Sequence, residues 1–172
     1  MADLNPAISA DDKWVVYPSL DGGKLTLWKV GIDGGAPVRL INRVGLGARF
    51  SRDGKYIVYL FPTSGDSFAP PNRIGVISVE GGEPVKTFEL PLGGTLSPSA
   101  HWLSDSKSIM YTVNNNNVTN IWSQPFEGGP AKQVTEFKDS LMTGFAWSRD
   151  GKTLATTRGV LVRDAVLIAD DK

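Results

Sequence analysis

The chain has 172 residues, 18 basic and 18 acidic side chains, one histidine and no cysteine. That length suits one domain with a core of ordinary size. Balanced charge provides no basic excess for neutralising phosphates, so nucleic acid is not an expected partner, and the lack of cysteine excludes disulfides and thiolate metal sites.

The opening Met-Ala-Asp-Leu-Asn-Pro has no apolar core of a signal peptide, and no run of 18 apolar residues occurs, so no membrane span is expected. Pro6 to Ser9 then reads as a short strand, and Ala10 to Lys13 as a turn, because Asp bonds nearby backbone and tolerates unusual φ/ψ. Trp14-Val-Val-Tyr17 is apolar on both faces, as in a strand packed between two sheets. Pro18 to Lys24 reads as a second turn, Leu25 to Ile32 as a third strand, Asp33-Gly-Gly35 as a third turn and Val38 to Ile41 as an outer strand. Four strands and three turns make one propeller blade.

The same order recurs. Ile8-Ser-Ala-Asp-Asp-Lys13, Phe50-Ser-Arg-Asp-Gly-Lys55, Trp102-Leu-Ser-Asp-Ser-Lys107 and Trp147-Ser-Arg-Asp-Gly-Lys152 each lead into an apolar run, at periods of 42, 52 and 45 residues. Gly-Gly pairs beginning at Gly34, Gly81 and Gly128 are spaced 47 and 47 apart, in phase with the lysines. Such periods with short strands indicate a β-propeller. The expected fold is all-β: one domain over 1–172 of about four four-stranded antiparallel blades, approximately 5–43, 47–90, 99–137 and 143–170. The last is incomplete, with strands only at Phe145–Trp147, Leu154–Thr156 and Ala165–Ile168. No window has convincing helical spacing.

The Ser-x-Asp-Gly-Lys motif, its apolar strand and the later x-Gly-Gly resemble the WD-repeat-like units of TolB-type bacterial β-propellers, over essentially all of residues 5–170. Asp12 departs from the pattern in the first unit, and Leu103 and Ser106 in the third. The last unit, from Phe145 through Asp164-Ala-Val-Leu-Ile168, looks like the C-terminal blades of propellers in bacterial sensor Ser/Thr kinases and winged-helix regulators. That resemblance implies a periplasmic or extracytoplasmic domain that binds protein or peptide partners, and it carries no catalytic residue with it.

No catalytic, cofactor or metal site is expected. Asp11, Asp53, Asp105 and Asp150 recur in every unit and serve its turn, the repeated aromatics pack between blades, and His101 has no second histidine to share a metal with. No nucleophile elbow, phosphate loop or His-Glu-x-x-His occurs. Function belongs where the units differ: the Ser64–Asn72 insertion with Phe68, the long stretch Leu90–Pro98, and the position two before the motif serine. That position carries Arg49 and His101 in units two and three against Ala7 and Ala146. The candidate partner contacts are therefore Arg49, His101 and Phe68.

The expected role is a non-enzymatic binding module or scaffold, with an enzyme-associated propeller (a peptidase-type gating domain or channel-sited hydrolase) and a purely structural self-assembling ring as alternatives. An open half-ring leaves an apolar sheet face at each end. If each face holds roughly 500 Å², exposing it forfeits about 12 kcal/mol, comparable with the ~5–15 kcal/mol stability of a whole domain. A homodimer completing a ring of two half-propellers, or further blades upstream, is expected on that ground.

Overall fold

The computed structural model describes residues 5–90, 95–148 and 153–160, without the side chains of 95–99. Fourteen strands and no helix make up the described residues. Blade 1 is β1 (Ala7–Ile8), β2 (Trp14–Asp21), β3 (Lys24–Gly31) and β4 (Gly34–Arg39). Blade 2 is β5 (Leu46–Phe50), β6 (Tyr56–Phe61), β7 (Arg73–Ser78) and β8 (Lys86–Glu89). Blade 3 is β9 (Thr95–Trp102), β10 (Ser108–Asn115), β11 (Val118–Pro125) and β12 (Lys132–Gln133). Blade 4 contributes β13 (Leu141–Trp147) and β14 (Leu154–Gly159). Within each sheet the strands pair antiparallel in chain order.

Several boundaries differ from the sequence reading; β13 starts at Leu141 rather than Phe145 and β14 runs to Gly159 rather than Thr156. The second turn of blade 1 shrinks to Gly22–Gly23, because β2 runs on through Pro18. Proline fits there because Leu27, directly opposite, gives its carbonyl to the Leu40 amide (2.8 Å) on the far side. The Pro18 nitrogen consequently faces the β1 side, where the two-residue β1 is too short to need a donor. The outer strand of blade 1 is Gly34–Arg39 rather than 38–41, and β9 begins at Thr95, which absorbs part of the long stretch before blade 3. The third strand expected at Ala165–Ile168 lies outside the described residues.

The repeated turn has a physical explanation. The Trp14 amide donates to Ser9 Oγ (2.9 Å), whose hydroxyl donates to Asp11 Oδ1 (2.6 Å). Ser51, Asp53 and Tyr56 repeat this at 2.9 and 2.6 Å. Leu103 has no hydroxyl, yet the backbone bond survives, Leu103 N–H to the Ser108 carbonyl at 2.8 Å, and Asp105 still receives the Lys107 amide at 2.9 Å. The fourth turn residue is left-handed in all three described copies: Asp12 at φ 59°, Gly54 at 71° and Ser106 at 56°. Only glycine takes this conformation without steric cost. Asp12→Gly is therefore expected to raise stability by about 0.5–1 kcal/mol, relief of the left-handed strain exceeding the added chain entropy; paired denaturant melts measure it.

The same turn controls the Asp11 carboxyl. The Ser9 hydroxyl, and after it the Lys13 amide, holds its pKa below the usual carboxylate range. A depressed native pKa stabilises the fold above the unfolded value and is lost as pH falls through the native one. Ser9→Ala should move the Asp11 titration, followed by carboxyl NMR, upward toward the ordinary value.

Blades stack through alternating strand faces. At each boundary between successive blades, one face of a sheet meets the opposite face of the next sheet. Val16 and Leu27 of blade 1 pack against Ala48, Ile57, Tyr59 and Ile77 of blade 2. The other face of blade 2, with Val58, Leu60, Ile74 and Val76, packs against Ile109, Tyr111 and Val113 of blade 3. Met110 and Ile121 then meet Met142 and Phe145 of blade 4. Burying this apolar area, at ~25 cal/mol per Å², is the main stabilisation between blades. Lys29 is the charged exception. Its ammonium donates to the Val79 carbonyl (2.7 Å), lies 3.6 Å from Glu80 Oε2, and sits 4.5 Å from the Trp14 ring centre.

Candidate functional site

Because every first strand enters its turn in the same direction, the three described turns gather at one end of the blades. There the ends of β1, β5, β9 and β13 enclose a cavity of about 390 Å³. Rings of Phe50, Trp102, Phe145 and Trp147 wall it, and Arg52 and His101 supply polar groups. A second hollow of about 450 Å³ opens from it between the turns of blades 1 and 2, sharing Ala10, Phe50 and Arg52 and adding Asp11, Asp53 and Glu80.

Packing holds the walls in place. His101 meets Phe145 edge-on at 5.1 Å between ring centres. The Trp147 indole N–H donates to Met110 Sδ at 3.0 Å. Trp102 lies 5.3 Å from Phe126 and 6.3 Å from Tyr56, at the blade 2–blade 3 boundary. Its indole N–H is buried with no hydrogen-bond partner, a desolvation cost accepted for ring packing. Arg52 is exposed and makes no ion pair or hydrogen bond among the described residues. An aromatic wall beside an unpaired guanidinium suits an apolar group next to a carboxylate.

The three residues singled out from sequence are not brought together. His101 lines the cavity. Arg49 lies on β5, half-buried, with Nη1 donating to the Ala48 carbonyl (2.8 Å), and it is not among the lining residues. Phe68 is 82% exposed in the β6–β7 loop, at the end of the blades away from the turns. That loop is anchored on blade 1, where Ser67 Oγ receives the Leu25 amide at 2.9 Å. Sequence reasoning missed Arg52. The available signal was the residue directly after the motif serine, which is Ala10, Arg52 and Ser104 in the first three units. It varies inside an otherwise constant turn.

No protein-family model and no curated protein matches the chain by sequence. Solved structures do match it by fold. TolB from Acinetobacter baumannii is 18% identical with a TM-score of 0.66, covering 89% of this chain and 37% of that one. A putative TolB from Agrobacterium tumefaciens is 14% identical with a TM-score of 0.67, covering 94% and 61%. A chain of a nidogen/laminin complex is 16% identical with a TM-score of 0.67, covering 89% and 55%. The chain thus spans less than two thirds of the length of each. None of these three proteins is a sensor kinase or a winged-helix regulator, so that part of the resemblance stays an expectation. The blade order, the repeated turn and these likenesses together make the chain an all-β propeller of the TolB-like fold.

Proposed function

We propose that the chain is a non-enzymatic propeller module that binds a protein or peptide partner at the turn end of its blades. The observation that carries this reading is the aromatic cavity with Arg52, unpaired among the described residues, at its rim. The preferred ligand segment is an apolar side chain beside a carboxylate. An extracytoplasmic setting and a homodimeric ring belong to the same reading, the first through the TolB resemblance and the second through Tyr17 and Trp28, paired and only half-buried on the outer face of blade 1.

A random peptide library displayed on phage and selected on the immobilised chain tests the proposal. Enriched peptides should combine acidic and apolar residues, and Arg52→Glu should weaken them by about tenfold or more with an unchanged melting temperature. Enrichment that is indifferent to Arg52→Glu would sink the reading.

A further inference from the structure

Two hollows at the turn end share one wall. The cavity of about 390 Å³ and the hollow of about 450 Å³ beside it are both lined by Ala10, Phe50 and Arg52. The second lies between blades 1 and 2, which are each described over four strands, and its described walls come from those two blades alone.

The second hollow has a charge pattern of its own. Asp11, Asp53 and Glu80 face Lys29 and Arg52. Lys29 is already engaged: its side chain is 7% exposed, and its ammonium meets the Val79 carbonyl and the Trp14 ring. The carboxylates keep acceptors to offer. Oδ1 of Asp11 takes the Ser9 hydroxyl (2.6 Å) and the Lys13 amide (3.3 Å), and Oδ1 of Asp53 takes the Ser51 hydroxyl (2.6 Å) and the Lys55 amide (3.1 Å). Oδ2 of each has no partner among the described residues. Glu80 is 81% exposed on its side chain, and its Oε2 comes no nearer to Lys29 than 3.6 Å. Turn bonds fix both aspartates before any ligand arrives, which lowers the ordering cost of binding.

Arg52 stands in the wall between the two hollows. A ligand carboxylate on Arg52 neutralises the exposed cation of the second hollow. Three carboxylates then face one buried lysine, and a cation there restores the balance. The Phe50 ring gives the aliphatic stem of such a side chain an apolar surface to lie on. We propose that the second hollow takes a basic side chain of the bound peptide, so that the partner segment combines an apolar residue, an acidic residue and a lysine or arginine. This deepens the reading of the aromatic cavity and Arg52, and rests on it. Hollows of these volumes are each about 7–8 Å across, and an extended chain advances about 3.3 Å per residue, which sets acid and base about two or three positions apart.

The test is fluorescence anisotropy of dye-labelled, end-capped peptides on the whole chain at low ionic strength. The set is Phe-Asp-Ala-Lys, Phe-Asp-Ala-Ala-Lys, their reversed sequences, and the same peptides with norleucine in place of lysine. The best lysine peptide should bind about fivefold more tightly than its norleucine form. Glu80→Lys should abolish that preference, and Glu80→Gln should reduce it should the first variant fail to fold. Arg52→Glu should weaken the norleucine form about tenfold. Equal binding of lysine and norleucine forms, still weakened by Arg52→Glu, overturns this inference and leaves the cavity reading standing. A lysine preference unchanged in both Glu80 variants also overturns it. Absence of binding by the whole set overturns the inference together with the reading beneath it.

Discussion

Gly75→Ala is expected to cost about 2–3 kcal/mol of stability, the range for overpacking a filled core. Gly75 sits opposite Tyr59 in the β6–β7 ladder. A methyl at Gly75 would overlap the Tyr59 ring, lying 2.5 Å from Cε1 and 2.7 Å from the hydroxyl oxygen, with Cζ in the same overlap. The ring is fully buried and stacked at 5.5 Å on Phe61, so it has no free volume to retreat into. The neighbouring blades explain why glycine stands here. The matching tyrosines, Tyr17 and Tyr111, are paired with Trp28 and Trp122. In blade 2 the tyrosine ring instead lies over its cross-strand neighbour and occupies the space that tryptophan fills elsewhere. Urea melts of Gly75→Ala, Tyr59→Leu and the double variant measure the coupling. The double variant should lose clearly less than the sum of the two single changes, since removing the ring makes room for the methyl. Additive losses would mean that the overlap is not the cause.

Stability should fall by a few kcal/mol between pH ~10 and ~12, the separation between the ordinary tyrosine value and the buried one. Tyr59 and Tyr111 are each pushed up to about 12, chiefly by burial, which disfavours the phenolate. Arg43 and Glu83 act on Tyr59 with opposite signs and smaller effect. The sign follows from proton counts. Below pH ~10 both states keep the proton and stability is unaffected; above it the unfolded chain releases protons that the native chain retains, so unfolding gains until the native groups also ionise near pH ~12. Denaturant melts across this window, with the double variant Tyr59→Phe and Tyr111→Phe as control, check the assignment. The control should remove most of the slope. At neutral pH it should cost little, because neither hydroxyl has a hydrogen-bond partner to lose. A slope unchanged in the control would place the alkaline transition on other groups.

The blades were legible because their signals are local. A serine, an aspartate and a left-handed residue at fixed spacing build one turn, and an apolar run beside it has to be buried between sheets. Pro18 was misread as a turn residue for the same reason. Proline alone marks a break, and only the hydrogen-bond direction of Leu27 reveals that its missing N–H is not needed. The cavity was less legible. His101 was found because it differs from its equivalents, but Arg52 lay inside the motif that defines the repeat and was absorbed into it.

By itself, the order of residues determined the class of fold, the count of repeating units and the chemistry of each turn, since all three depend on neighbours close along the chain. Tertiary structure decided which rings share a cavity, that Phe68 lies at the opposite end from His101, and that Gly75 is reserved for the Tyr59 ring. It also decided which sheet faces are covered. Those outcomes depend on contacts between units some 40 to 50 residues apart, such as the 42-residue span from Leu25 to Ser67. Repeat period alone does not tell which side of a strand meets the next blade; the register and twist of the assembled sheets do.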